Sequence, residues 1–180
     1  MNATPLRDGG PEIDIDVDLA APGWLTALAG AGEPADIATL AVAAALQAAA
    51  RQVAVAPHVE VSVRLTDDAD IRVLNRDFRD RDQPTNVLSF PLDIEFETGF
   101  DGGPVPLGDI VVALETCVGE AREQDKQLAD HLRHMVVHGA LHLLGFDHAD
   151  EEEAVEMEAL ERDVLAGLGV ADPYADTVAA

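Results

Sequence analysis

Residues 12–19 read EIDIDVDL, in which apolar and acidic side chains alternate strictly. A period of two places the apolar residues on one face of a β-strand and the aspartates on the other. The segment VEVSVRL at 59–65 alternates in the same way. Two shorter apolar segments, 87–90 and 109–114, also have the composition of strands. The sequence therefore predicts about four strands, and the first two have one face open to water.

Helical segments separate and follow these strands. Thr66, Asp67 and Asp68 offer side-chain oxygens that can cap a helix ending near residue 78. Gly145 suits the left-handed position that ends another helix. Glycines and prolines make 96–107 an expected mobile hairpin or loop. The remaining predicted helices cover residues 36–52, 115–127, 128–144 and 151–168.

Length and element order indicate a single domain. A chain of 180 residues corresponds to one folding unit. Because strands dominate the first part and helices the last, without an internal repeat, we predict one compact α+β domain. We expect this domain to span 12–174, with flexible tails at 1–11 and 175–180.

The charge balance excludes several classes of protein. The chain has 35 Asp and Glu against 11 Lys and Arg, a formal net charge of −24. This charge argues against a basic protein that coats nucleic acid and against an anionic membrane surface as the main partner. The sequence has one cysteine and no apolar stretch near the ~20 residues of a membrane span. We therefore expect a cytoplasmic protein.

A cluster of histidines predicts a metal site. The segment HGALHLLGFDH at 138–148 places His138 and His142 four residues apart, on one face of a helix. Gly145 then ends the helix, and the chain can reverse so that His148 reaches the same point. Three protein ligands leave a fourth tetrahedral position open, as in catalytic zinc sites.

The same spacing of three histidines and a glycine occurs in the metzincin proteases, H-E-x-x-H-x-x-G-x-x-H. Here Gly139 stands where those proteases carry their general-base glutamate. The metal ligands of a metalloprotease are therefore present, but the peptidase base is not.

Four residues near this motif or elsewhere in the chain have less specific interpretations. His131 and His134 precede it on roughly the same helical face, and we favour supporting or structural roles for both over metal ligation. Asp147 either orients an imidazole by accepting its second N–H or caps the last helix. His58, beside a proline in a predicted loop, is interpreted as an ordinary surface residue.

An arginine-rich helix precedes the third predicted strand. Arg72, Arg76 and Arg79 share one helical face, and guanidinium groups suit bidentate phosphate contacts. Six aspartates occupy the same stretch, so local ion pairs on a solvated face explain the pattern equally well. They are Asp67, Asp68, Asp70, Asp77, Asp80 and Asp82.

Four segments stand out when they are taken together. They are LNRDFRDRDQPTNVLSFP (74–91), LGDIVV (107–112), HMVVHGALHLLGFDH (134–148) and EMEALERDVLAGLGVADPY (156–174). In this order they resemble the bacterial YbeY family, the metal-dependent endoribonucleases of ribosomal RNA maturation. The resemblance extends over about 59–174, and its HGxLHLxGxDH core is highly specific.

The resemblance implies a mixed sheet with helices packed on it and the metal-site helix in the core. It implies one Zn²⁺ per chain, held by His138, His142 and His148. It also implies a single-strand-specific endoribonuclease that processes the 3′ end of small-subunit rRNA and serves ribosome quality control. The expected partners are single-stranded RNA, rRNA, and the small ribosomal subunit with its assembly factors. Neither DNA nor a membrane is expected.

The resemblance also assigns individual residues around the metal. The family's functional arginine, before the PTNVLSFP run, falls on Arg79, which would clamp the scissile phosphate. Asn86, Ser89 and Asp109 would line the groove beside the metal, or serve as turn and strand-end residues.

Two alternative functions remain open from the sequence. One is a metallohydrolase of a non-RNA substrate, which needs a carboxylate base from elsewhere in the chain. The other is a non-catalytic ribosome-assembly factor with structural zinc, which needs a fourth ligand such as His134 or Asp147. The charge of −24 also predicts weak binding of free RNA, because phosphate neutralisation supplies most nucleic-acid affinity.

Overall fold

The computed structural model describes residues 9–92 and 103–175. The strands are β1 (Glu12–Leu19), β2 (His58–Thr66), β3 (Val87–Pro91) and β4 (Val105–Ala113). The helices are α1 (Gly23–Ala27), α2 (Pro34–Ala49), α3 (Asp68–Arg79), α4 (Leu114–Glu123), α5 (Leu128–Leu143) and α6 (Glu151–Gly167). Most of the two expected tails, residues 1–8 and 176–180, lies outside the described residues, as does the part of the expected loop at 96–102.

The four strands form one mixed sheet in the order β1-β2-β4-β3. β1 pairs parallel to β2, β2 pairs parallel to β4, and β3 pairs antiparallel to β4. The prediction of an α+β domain with a four-stranded mixed sheet is confirmed. Because β1 is an edge strand, its aspartates keep an exposed sheet edge charged, which opposes pairing with another chain.

Helices cover the two faces of the sheet unequally. α2 and α5 pack side by side on one face, and α6 packs across both. The main core lies between these helices and the sheet, and it includes Val61, Val63 and Ile110. On the other face a smaller cluster joins α3 to Val111 and Leu88. Successive residues of β4 thus enter different cores, as the alternation of strand side chains requires.

Helix starts and ends agree with the sequence within a few residues. Asp67 caps α3, accepting a hydrogen bond from the Asp70 N–H at 2.9 Å, and Gly145 has φ of 89° after α5. α4 ends at Glu123 rather than near residue 127, and Asp125 there has φ of 52°, outside the helical region. None of the helices in the described ranges combines the length and the apolar content needed to cross a bilayer.

β4 begins at Val105, earlier than the predicted strand at 109–114. The sequence at 105–108 has the composition of a loop because proline and glycine interrupt it. The structure instead accommodates these residues in a bulge, where Glu60 pairs with Pro106 and Val61 with Gly108. Gly108 has φ of 136°, and a Cβ there would overlap the carbonyl oxygen of Phe90.

A second glycine sets the distance between α5 and the sheet. A Cβ at Gly139 would lie 2.8 Å from Ile110 Cγ2 and 3.0 Å from Ser89 Oγ. The Ser89 hydroxyl donates to the Gly139 carbonyl at 3.2 Å. Position 139 therefore faces the packed interior, so a glutamate could not stand there without displacing the sheet.

The variant Gly108→Ala is expected to lower the free energy of unfolding by at least about 2 kcal/mol. Alanine would have to adopt an unfavourable φ, and its Cβ would clash with the backbone of β3. Urea denaturation, which reports the transition midpoint, measures the effect.

Gly119→Ala is the matched control. Gly119 lies inside α4, and no atom lies within 4 Å of the position that a Cβ would take there. Alanine should therefore raise the free energy of unfolding by about 0.5–1 kcal/mol. Equal stability of the Gly108→Ala variant and the unmodified protein would contradict the bulge geometry.

Candidate functional site

Three histidines converge at the end of α5. His138, His142 and His148 each offer a ring nitrogen, and these nitrogens lie within 4.8 Å of one another. The Nε2 atoms of His138 and His142 are 3.0 Å apart. A tetrahedral zinc ion with Zn–N bonds of about 2.0–2.1 Å separates its ligand nitrogens by roughly 3.3–3.4 Å. The group therefore has the donor atoms and approximate spacing for one metal ion.

Carboxylates fix the orientation of two of these rings. His138 Nδ1 lies 2.5 Å from Glu161 Oε1, and His148 Nδ1 lies 3.2 Å from Asp147 Oδ1. When Nδ1 is bonded in this way, Nε2 is left to face the ion, an arrangement common among metal-binding histidines. Of the two roles considered for Asp147, the structure places it beside an imidazole, because Asp150 caps α6 instead.

Glu161 is a site residue that the sequence analysis missed. It is fully buried, and its carboxylate accepts hydrogen bonds from His138 and from the Tyr174 hydroxyl. His134 Nε2 lies 3.5 Å from Glu161 Oε2, the oxygen that Tyr174 also contacts. His134 thus supports the site through Glu161 and does not join the metal-binding group.

The sequence contains a signal for Glu161. Met157, Leu160, Val164 and Leu165 form the buried stripe of α6, and Glu161 occupies the middle of that stripe. A carboxylate at a helical core position is costly to bury unless it has partners. Its position in the apolar periodicity therefore indicates a buried polar contact, although not the identity of the partner.

The surroundings shift two pKa values in directions that suit metal binding. Burial alone would raise the pKa of Glu161, but hydrogen bonds from His134, His138 and Tyr174 lower it to about 2. The pKa of His142 is lowered by burial and by the neighbouring His138 and His148. An ionised carboxylate and neutral imidazoles are the forms that hold a divalent metal.

The histidines open into a cavity of about 530 Å³. We name this space, together with its lining residues, the metal cavity. Arg79 lines its wall and is its only Lys or Arg among the described lining residues. The Arg79 guanidinium donates from Nη2 to the Ser89 carbonyl at 3.2 Å. This bond positions a fixed positive charge beside the metal-binding group.

Asn86 and Ser89 also line the metal cavity. Asn86 Nδ2 lies 3.1 Å from each carboxylate oxygen of Glu120, and its Oδ1 accepts from the Val87 N–H at 2.7 Å. Both residues therefore use their polar groups to hold β3 in place below the cavity.

Asp109 does not lie in the metal cavity. In β4 it pairs with Phe90, while the neighbouring Ile110 pairs with Ser89 and faces α5. Because strand side chains alternate, Asp109 faces the opposite side of the sheet. There it lines a separate groove with Arg64 and Phe78.

Two arginines of α3 are engaged in ion pairs. Arg72 binds both oxygens of Asp82, at 2.8 and 3.0 Å, and Arg76 binds Asp77 at 2.8 Å. These pairs account for two of the six aspartates in this stretch, and they leave Arg79 as the α3 arginine at the cavity.

The remaining histidines have partners elsewhere. His131 Nε2 lies 2.7 Å from Glu120 Oε2, and with Cys117 these residues form a second group of potential metal ligands. Burial, Glu120 and Asp68 raise the pKa of the Cys117 thiol, and Cys117 Sγ lies 3.9 Å from the Asn86 carbonyl oxygen. His58 is not isolated, because its Nε2 lies 3.0 Å from Asp14 Oδ2 across β1 and β2.

The chain is similar to known proteins over most of its length. Residues 34–169 match the family model described as Endoribonuclease YbeY. A protein of that name from Azorhizobium caulinodans is 54% identical over 163 residues, which cover 91% of this chain and 97% of the relative. One from Paramagnetospirillum magneticum is 52% identical over 165 residues, with 91% and 97% covered. A solution structure of a protein from Thermotoga maritima is 24% identical, and its alignment covers 88% of this chain and 97% of that protein, with a TM-score of 0.48. The chain belongs to the endoribonuclease YbeY family.

Proposed function

We propose that this protein is a zinc-dependent, single-strand-specific endoribonuclease that matures the 3′ end of small-subunit rRNA. The observation that carries the proposal is the metal cavity, which is lined by three converging histidines and by Arg79. We further propose that it works in the cytoplasm on small ribosomal subunits, with their assembly factors as partners, and that it contributes to ribosome quality control.

The donor set fits zinc. His138, His142 and His148 would hold the ion through imidazole nitrogens, which suit Zn²⁺ among other transition metals. When bound, the ion would supply Lewis-acid polarisation at the scissile phosphate. The hydrogen bonds to Glu161 and Asp147 keep two of the three rings in the required orientation before any ion arrives.

Arg79 would bind the scissile phosphate. Its Nη2 is committed to the Ser89 carbonyl, and the other N–H groups of the guanidinium remain for phosphate oxygens. Because the guanidinium is anchored at one nitrogen, little reorganisation is needed when charge builds up on the phosphate during cleavage. Its role would be to bind and to stabilise charge, and it would not act as the proton acceptor.

The structure supports this proposal over a peptidase-like hydrolase. Asp147 is the only carboxylate among the described residues that line the metal cavity, and His148 engages it. Position 139 cannot hold a base because it faces Ile110. A metallohydrolase of a non-RNA substrate would therefore have to use Asp147 as its general base, and that carboxylate is already in contact with His148.

The structure also supports catalysis over a structural zinc site. A closed site needs a fourth protein ligand. The group within 4.8 Å holds three residues in the described part of the chain. Of the two candidates for a fourth, His134 lies against Glu161 and Tyr174, and Asp147 lies against His148.

Arg79→Glu is expected to lower kcat/KM for a single-stranded RNA oligonucleotide by at least about 100-fold, with zinc content unchanged. Loss of the phosphate contact and reversal of its charge account for about 2.7 kcal/mol at 1.36 kcal/mol per tenfold. Cleavage kinetics and metal analysis on the same samples measure the two effects separately.

Arg76→Glu is the charge-matched control on the same helix, and we expect it to stay within about threefold of the unmodified protein. His142→Ala should lose both zinc and cleavage, because one of the ring-nitrogen donors disappears. RNA cleavage at the unmodified rate by the His142→Ala variant would falsify the proposed function.

Glu161→Gln is expected to weaken zinc binding by about 10–100-fold, the usual effect of removing a carboxylate that orients a histidine ligand. Glutamine keeps the size of the side chain but loses the charge that His138 faces. Competition with a chelator measures the affinity, and circular dichroism checks that the variant is folded.

Glu158→Gln, three residues earlier on α6, is the control and should bind zinc normally. Its carboxylate contacts Arg162 at 3.3 Å and no histidine of the metal-binding group among the described residues. Unchanged zinc affinity in a folded Glu161→Gln variant would exclude the orienting role of Glu161.

A further inference from the structure

The metal cavity adjoins a second, smaller cavity of about 260 Å³. Arg79, Val87 and Leu88 line both spaces, so they form the partition between them. The other residues of the second cavity are Asn75, Arg81, Gln83 and Thr85. We name this space the loop cavity, because three of its seven lining residues belong to the loop between α3 and β3.

We propose that the loop cavity is a subsite for the nucleotide next to the scissile phosphate, with Arg81 binding that nucleotide's own phosphate. This inference rests on the proposed function, since it extends the RNA path from the metal cavity past Arg79. It adds a binding residue and a length requirement to the substrate, namely a phosphate beyond the one that is cleaved.

The pairing of arginines supports this assignment. Arg64 contacts Asp18 and Asp70, and Arg72 and Arg76 are paired with aspartates. Arg79 and Arg81 have no carboxylate within 4.0 Å in the part of the chain that the structure describes. The uncompensated positive charge of this region therefore lies at the two cavities.

The loop that carries Arg81 is held in one conformation. Asp80 ends α3 with φ of 56°, and the Arg81 N–H donates to the Asn75 carbonyl at 3.2 Å. The buried Asn75 side chain then donates to the Gln83 carbonyl at 2.8 Å. These bonds hold the backbone at Arg81, so the exposed Arg81 side chain starts from a constant position at the rim of the loop cavity and less backbone freedom is lost when it binds a phosphate.

The remaining groups of the loop cavity suit a nucleoside. The Gln83 amide and the Thr85 hydroxyl have no hydrogen-bond partner of their own within the described ranges, and both can bond a ribose hydroxyl or a base edge. Such contacts require a nucleotide that is not buried in a duplex, which agrees with single-strand specificity.

The negative charge of Asp80 is expected to weaken phosphate binding at Arg81. Removing that charge should therefore have the opposite effect to removing Arg81. The exposed Asp80 carboxylate is adjacent to Arg81, and no arginine or lysine lies within 4.0 Å of it among the described residues. Asp80→Asn removes the negative charge, and asparagine tolerates the left-handed backbone of this position better than most residues. The variant should therefore strengthen phosphate binding without disturbing α3.

The experiment compares two RNA substrates. One is a dinucleotide with only the scissile phosphate, and the other is a single-stranded heptanucleotide. Arg81→Ala should lower kcat/KM for the heptanucleotide by about tenfold, chiefly through KM, and leave the dinucleotide unchanged. Asp80→Asn should raise kcat/KM for the heptanucleotide about twofold to threefold. Arg76→Ala, the matched control, should change neither.

Salt dependence gives a second readout. Each phosphate contact in a single strand contributes about 0.7 to the slope of log affinity against log salt. Arg81→Ala should reduce the slope for the heptanucleotide by about that amount, and a fold defect would not. An equal loss on both substrates, or no loss on either, would overturn the subsite. If the unmodified zinc-loaded protein cleaves neither RNA, the proposed function itself fails, which is a distinguishable result.

Discussion

The close approach of α5 to the sheet at Gly139 determines the arrangement of the site. With Ile110 Cγ2 only 2.8 Å from where a Cβ would stand, the helix axis lies nearer to β3 and β4 than any larger residue would allow. His138 and His142 lie on either side of this contact in the sequence, so both rings are held next to β3. Arg79, anchored on the same strand, is thereby brought to the same cavity. Gly139 thus also brings the histidine group and Arg79 into one cavity.

A buried carboxylate then connects this arrangement to the end of the chain. Glu161 would be costly to bury as an isolated charge, yet it faces His134, His138 and Tyr174. Each of these contacts favours the charged form, which is why its pKa falls to about 2 despite burial. The interaction fixes the His138 ring and secures the segment that follows α6. Arg162, 5.0 Å from the Tyr174 ring centre, covers that segment from outside. The orientation of the His138 ring therefore depends on residues far from the histidine motif in the sequence.

The sequence predicted the features that depend on local spacing. Period-two alternation predicted β1 and β2, and the spacing of His138, His142 and His148 predicted that these three rings converge, as they do. Features that depend on tertiary contacts were not accessible in the same way. The assignment of Asp109 to the groove beside the metal required knowing which face of β4 meets α5, and a shift of one residue reverses that answer. Similarly, Glu161 could be recognised as a buried polar residue, but only the packing of α6 against α5 shows its partner.

The acidity of the chain is compatible with an RNA substrate because charge acts locally here. A net charge of −24 repels a polyanion at a distance, but screening at cellular salt confines this repulsion to about 8 Å. Within that range the pairing of each arginine matters more than the total. Arg64 pairs with Asp70, Arg72 with Asp82 and Arg76 with Asp77, so three of the six aspartates between residues 67 and 82 are compensated by arginines that do not line the metal cavity. Arg79 supplies the positive charge in the lining of the metal cavity, and Asp147 supplies the negative charge there. Because screening removes most of the repulsion beyond that distance, the net charge does not by itself exclude an RNA substrate.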